Sequence, residues 1–246
     1  MPLEHSHQPA AISKRLSTGP RVSYLRDWVY GAIDGAVTTF AIVAGAIGGE
    51  LSTEVVLILG FANVAADGFS MAAGNFTSTK AEIEDFERLR KVEEKHLAVD
   101  PEGEREEIRQ IYTLKGIRGE DLARLVRLIT GNRKLWLDTM MFEEYGVTLA
   151  RRSPISAATA TFLAFLAAGL VPLFPFLFRV PHAPIVATCA TAVAFFFIGS
   201  LKSHWSPRGW VSCGLETLTI GIVAAGLALV IGAALRFLIP EAANLL

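Results

Sequence analysis

The sequence predicts an all-α polytopic membrane protein: five transmembrane helices, with a cytosolic helical domain between the second and the third. Three observations carry that prediction. Of the 246 residues 52% are hydrophobic, and the mean hydropathy is +0.41, high for a soluble domain. Fifteen of the 23 Lys and Arg, with sixteen of the 24 Asp and Glu, fall between Lys80 and Arg152. Outside that block, five stretches are apolar over roughly 20 residues, the length that crosses the hydrocarbon core of a bilayer.

Residues 1–27 form an N-terminal cytosolic tail, whose first ~20 residues, with His5, His7, Pro9 and Ser17, read as disordered. The first apolar stretch, 28–49, is too long for the core of a signal peptide and has no clear cleavage site, so it is expected to stay as a helix. The second runs over 54–77, and the two make up the segment 28–77. The insert, 78–154, reads as helical throughout. TKAEIEDFERLRKVEEKHL has neither Gly nor Pro; DPEGEREEIRQIYTLKG has Asp100 as N-cap, Pro101 in the first turn and Gly116 as a stop. A third helix, about Glu120 to Thr130, carries Leu122, Leu125, Val126 and Ile129 on one face, and a fourth begins near Arg133 and runs through Met140, Met141 and Leu149. The remaining stretches, 155–178, 183–201 and 209–236, fill the segment 155–246.

Loop charge sets the orientation. The N-terminal segment holds Lys14, Arg15, Arg21 and Arg26, and the insert is rich in bases, whereas GGELSTE has two acids and no base. FRVPHAP has one base, and LKSHWSPRG has Lys202 and Arg208. The alternation places the N-terminus and the insert in the cytosol and the C-terminus outside. Bases interleaved with acids form no basic stripe, which excludes a nucleic-acid partner. Cys189 and Cys213 stand in apolar stretches without metal-ligand spacing and read as small buried hydrophobes.

Three spans carry one acid each: Asp34, Asp67 and Glu216. On a helical wheel Asn63, Ser70, Met71, Gly74 and Ser78 lie within roughly 60° of Asp67, and Asn75 about 80° away, opposite Leu57, Phe61, Ala65 and Phe69. Gly31, Thr38, Ala41, Gly45 and Gly48 share the face of Asp34, and the pairs Gly31/Gly35 and Gly45/Gly49 permit close helix approach. A carboxylate at mid-membrane costs a few kcal/mol, so it faces a cavity, a partner or an ion path. Asp67 alternatively bonds a neighbouring helix, and Glu216, near the cytosolic end of its span, pairs with Arg208 or Lys202. Met71 is a soft donor, suited to transition metals and poor for Mg²⁺ or Ca²⁺.

In the insert, Glu84/Glu87, Glu93/His96 and Glu104/Glu107 are i, i+3 pairs that share a helix face, and Met140 and Met141 stand four and three residues before Glu144. Carboxylates, an imidazole and thioethers suit Fe²⁺, Mn²⁺, Co²⁺ or Zn²⁺; a solvated charged face is the alternative. Only Glu93/His96 has the Glu-x-x-His spacing of which a di-iron bundle needs two, so a cytosolic oxidase is set aside. No catalytic residue, enzymatic reaction or organic cofactor is expected.

YGAIDGAVTTFAIVAG, ADGFSMAAGNF, PEGEREEIRQIYTLKG and WLDTMMFEEYG, in that order, resemble the vacuolar iron transporter family over nearly all of the chain, about Trp28 to Leu235. The resemblance implies a five-span homodimer in the lipid bilayer that exchanges Fe²⁺ for protons and moves iron out of the cytosol. It implies a pathway between protomers lined by Asp34 and Met71; Asp67 and Asn75, on the polar side of the second span, are counted with that pathway from their place on the helix. It also implies metal ligands at Glu93, His96, Glu104, Glu107, Met140, Met141 and Glu144. The chain departs from the family's pattern in three places. Gly74, Asn75 and Phe76 replace a common Gly-Glu-Tyr, His96 stands where the family has the second Glu of a pair, and Met141 replaces a Glu found in some members. His96 binds metal as neutral imidazole. Manganese or cobalt therefore stays open beside iron. The rival readings are a membrane-anchored metal buffer or sensor and a transporter of another substrate whose insert only dimerises. The membrane is the inner membrane in a bacterium, and a vacuole or similar organelle in a eukaryote.

Overall fold

A computed structural model describes residues 5–19, 22–147 and 152–238, and among them every regular element is helical. The helices are α1 (Pro9–Thr18), α2 (Leu25–Gly48), α3 (Thr53–Val99), α4 (Pro101–Leu114), α5 (Gly119–Thr130), α6 (Arg133–Glu143), α7 (Pro154–Gly169), α8 (Phe174–Leu177), α9 (Ala183–Leu201) and α10 (Trp210–Leu238). The chain divides into two compact units, Met1–Val22 with Ser78–Arg152 and Ser23–Thr77 with Ser153–Leu246.

The second unit is built around α2, which packs along α7 and α10 and, over a shorter stretch, α9. Its buried side is Val29, Ala32, Ala36, Phe40, Val43 and Ala46, joined by Ala164, Leu173 and Phe195 from its neighbours. Small residues set the spacing. A Cβ added at Gly31 would meet the Thr161 carbonyl at 2.4 Å, and one at Gly35 the Phe165 carbonyl at 2.4 Å. At the other end of α2 a Cβ on Gly232 would fall 2.1 Å from the Gly45 carbonyl. Backbone-to-backbone contact of this kind is what glycine pairs allow where apolar burial alone does not drive association. Gly35→Val is therefore expected to lose about 1–3 kcal/mol through overpacking against main chain that cannot move aside. The check is a lower midpoint in thermal unfolding of the purified protein, and an unchanged midpoint would contradict the packing.

Helices α2, the apolar part of α3, α9 with its 3₁₀ extension, and α10 are long and apolar enough to cross a membrane. The stretch 155–178 differs from the expectation of one continuous helix: α7 has 16 residues, about 24 Å against a hydrocarbon core of about 30 Å. It ends at Gly169, Pro172 follows in the turn, and a four-residue helix α8 completes the segment. Residues 53–99, read as a span followed by a separate insert helix, form one helix of 47 residues. No Pro interrupts it, and the fall in hydropathy after Phe76 changes its surroundings without breaking the backbone ladder.

Three smaller expectations are corrected. Residues 9–18 are helical rather than disordered: Pro9 opens α1, Arg15 lies in its last turn and Gly19 closes it at φ 68°. Helix α6 stops at Glu143, with Gly146 at φ 67° beyond it, and Leu149 lies outside the described residues. Cys213 is buried as expected, but Cys189 is exposed on α9. Glu216 pairs as read, with Lys202 Nζ at 2.9 Å and Arg208 Nη1 at 2.8 Å.

In the first unit, α4, α5 and α6 surround the last turns of α3 with a core of Phe86, Leu97, Ile108, Val126, Ile129 and Trp136, together with Met140 and Met141. The Asp100 carboxylate accepts from the Gly103 backbone N–H at 3.0 Å, Pro101 begins α4, and Asn132 caps α6 through Lys134 and Leu135. Asp100 and Pro101 thus turn the chain sharply from α3 into α4.

Candidate functional site

That turn decides where the first cluster forms. Glu93 and His96 sit on the last turns of α3 and Glu104 on the first turn of α4, so the corner folds them together. One ligand atom from each lies within 4.8 Å of the others, and His96 Nδ1 is 3.4 Å from Glu104 Oε1. A cation with bonds of about 2.0–2.2 Å holds its ligand atoms no more than about 4.4 Å apart, so the cluster needs only a small closure. Glu93 is 0% exposed and Glu104 5%. Glu93 Oε1 and Glu104 Oε2 are buried without a hydrogen-bond partner among the described residues, a costly arrangement unless a proton or a cation is shared between them.

The electrostatics agree. Burial, then the adjacent Glu93 carboxyl, pushes Glu104 up to about 8. Burial also raises Glu93, with Glu144 and Glu107 adding to the rise, although Glu104 and the Tyr145 hydroxyl, which donates to Glu93 Oε2 at 3.4 Å, oppose it. Glu144, although an exposed residue, is raised by partial desolvation of its carboxyl and by Glu107. Glu107 and Glu144 are themselves exposed, a second ring of negative charge around the buried pair. Met140 and Met141 are fully buried in the core of this unit. Glu84 and Glu87 remain a solvated face, with Glu84 paired to Lys80 at 3.5 Å. Tyr145 escaped the sequence reading, although its place directly after Glu144 was the available signal.

The second candidate lies in the unit built around α2. Asp34, Asp67 and Met71 are each half-buried, as are Thr38 and Asn63. Asn63 Nδ2 donates to Thr38 Oγ1 at 3.4 Å, and Thr38 Oγ1 donates to the Asp34 carbonyl at 2.9 Å, which joins the polar faces of α2 and α3. The two carboxylates are close enough to act on one another electrostatically. Neither Asp34 nor Asp67 has an ion pair or a side-chain hydrogen bond through its carboxylate among the described residues. Ser70 and Gly74 on the same face are exposed, so this face is open on a single chain, while Phe61, Ala65 and Phe69 are exposed on the other side.

Asn75 sits elsewhere. Its Nδ2 donates to Asp27 Oδ1 at 2.9 Å and to Thr161 Oγ1 at 2.7 Å, a polar junction of α2, α3 and α7. Asp27, 7% exposed, escaped the sequence reading; it precedes Asp34 by seven residues and so shares its helix face.

A family model described as the VIT family matches residues 25–233. Vacuolar iron transporter 1 of Arabidopsis thaliana is 31% identical over 210 residues, 83% of this chain and 83% of that protein. Vacuolar iron transporter 1 of Oryza sativa subsp. japonica is 30% identical over 229 residues, 91% of this chain and 88% of that protein. A vacuolar iron transporter of Plasmodium berghei (strain Anka) is 28% identical over 225 residues, 87% of this chain and 82% of that protein.

Proposed function

The chain belongs to the VIT family, and on that premise we propose that it moves a divalent transition metal, Fe²⁺ first, out of the cytosol across a membrane in exchange for protons. The observation that carries the reading is the open face of Asp34, Asp67 and Met71: two carboxylates without a cationic partner among the described residues and a thioether, on apolar helices. A membrane anchor has no use for such a face, whose cost is met when it lines a path for a positive ion. The relatives named above are iron transporters, which supports iron as the cargo.

In this reading α2, α3, α7 with α8, α9 and α10 are the five spans, the N-terminus and the insert are cytosolic, and the C-terminus is outside. Residues 78–154 capture metal at Glu93, His96 and Glu104, with Glu107 and Glu144 raising the local negative potential and Met140 and Met141 placed in the core behind them. On the pathway, Asp34 alternates between a proton and the metal, and Met71 adds a soft donor that favours Fe²⁺, Mn²⁺ or Co²⁺ over Ca²⁺. A closed homodimer brings two copies of Asp34 and Met71 around one ion on the symmetry axis. Asn75 acts as a strut that holds Asp27 beside the path.

The test is metal uptake into proteoliposomes offered Fe²⁺, Mn²⁺ or Ca²⁺. Uptake of Fe²⁺ and Mn²⁺ without Ca²⁺ is expected. Tight binding of Fe²⁺ with no flux of any metal would replace the reading by a membrane-anchored metal buffer.

A further inference from the structure

A cavity of about 790 Å³ opens where the C-terminal end of α2, the start of α3 and the last turns of α10 meet, at the end of the unit away from Asp27 and Asn75. We propose that it binds one phospholipid with a zwitterionic headgroup, taken from the leaflet at that end; this rests on the reading of α2, α3 and α10 as spans. The volume is within the range of small-molecule sites, which are mostly apolar with a few placed polar groups. The walls fit that pattern. Ile42, Leu59, Ile231 and Leu235 line it, and Gly45 and Gly232, whose backbones touch, leave its floor without side chains.

The polar groups gather at one rim. Glu50 and Arg236 form an ion pair there, beside Ser52. Such a site suits a metal ion poorly, since among the described residues it offers one carboxylate, with a guanidinium beside it that repels a cation. It suits a molecule that is apolar along most of its length and dipolar at one end. Depth agrees with this choice. Helix α10 has 29 residues, about 43 Å, so Arg236 near its end passes beyond a hydrocarbon core of about 30 Å, and Glu50 follows directly on the end of α2. Both charges therefore stand at headgroup level. Their side chains are 64% and 42% exposed for Glu50 and Arg236, and an exposed pair of this kind is weak and opens readily. Opened, it presents a guanidinium to the phosphate and a carboxylate to the ammonium of one zwitterion, while an acyl chain takes the apolar space.

The experiment is native mass spectrometry of the full-length protein released from detergent after exchange with dioleoyl phosphatidylethanolamine or dioleoyl phosphatidylglycerol. One phosphatidylethanolamine retained per chain, in preference to the anionic lipid, is expected. Leu59→Trp fills the cavity from an exposed helical position, and Ile231→Trp does so from α10; each is expected to reduce retention about tenfold or more. Arg236→Gln is expected to remove the headgroup preference. Equal retention in both tryptophan variants, or no preference in the unaltered protein, would overturn the proposal. Loss of the dimer together with the lipid would assign the cavity to a second copy of the chain and would also overturn it. Metal flux by the unaltered protein is read separately, so an empty cavity in a transporting protein sinks only the lipid site.

Discussion

Asparagine in place of Asp34 is expected to abolish metal flux while leaving the chain folded. The carboxylate is half-buried and makes no ion pair among the described residues, so the isosteric amide breaks no contact that holds α2 in place. What it removes is a charge-assisted bond to the cation and the group that exchanges it for a proton. Losing a charged ligand in a low-dielectric path weakens binding by about hundredfold or more, which suffices to stop turnover. The thermal midpoint is expected to stay close to that of the unaltered protein, because an uncompensated acid next to Asp67 adds repulsion and not support. Normal flux by Asp34→Asn would reject its role, and a collapsed midpoint would make the residue structural.

Glu104→Gln is expected to produce opposite changes in stability and in metal binding. In the folded protein Glu104 is held up to about 8, chiefly by burial and by Glu93, against an ordinary value of 4.5. Between those limits the unfolded chain ionises this group while the folded chain keeps it protonated. The contribution of Glu104 to the stability of the metal-free protein is therefore lost as pH rises from about 4.5 to about 8, and Glu93 and Glu144, also raised, act in the same direction. Glutamine removes the share that Glu104 contributes, so the variant is expected to be the more stable form at pH 8 without metal. It also removes a buried ligand, so Fe²⁺ or Mn²⁺ should no longer raise the unfolding midpoint. In the unaltered protein metal must displace the proton below about pH 8, so affinity is expected to fall toward pH 6, by about tenfold per unit for each proton released. Thermal unfolding with and without Mn²⁺ at pH 6 and 8 measures all of this. A metal response that survives in Glu104→Gln would remove the residue from the ligand set.

Much of this was legible in the chain itself. The i, i+3 spacing offered Glu93/His96 and Glu104/Glu107 as pairs on a shared face, and Asp100–Pro101 marked the start of α4, because caps and helical period are local properties; the ligand set itself came from the family resemblance. The sequence did not distinguish these buried acids from Glu84, which has the same spacing but ends in a solvated pair with Lys80. Burial depends on what α4 and α6 bring against α3, and no local pattern encodes that. Asp27 was missed for the same reason. Near the start of an apolar helix it passes for an interfacial charge, and only the meeting of α2, α3 and α7 shows it held by Asn75 beside Thr161. The break in the 155–178 stretch was readable in Gly169, Pro172 and Pro175, but uniform apolarity concealed it. The continuity of α3 was concealed in turn by its change of composition, since hydropathy follows the surroundings of a helix and not its backbone bonding.

The most direct test of the account is metal uptake into proteoliposomes that carry a pH dye inside, run for the unaltered protein and Asp34→Asn. The account predicts Fe²⁺ entry coupled to proton exit, with both signals lost in the variant. Fe²⁺ entry at constant internal pH, or flux that survives Asp34→Asn, would contradict exchange through this residue.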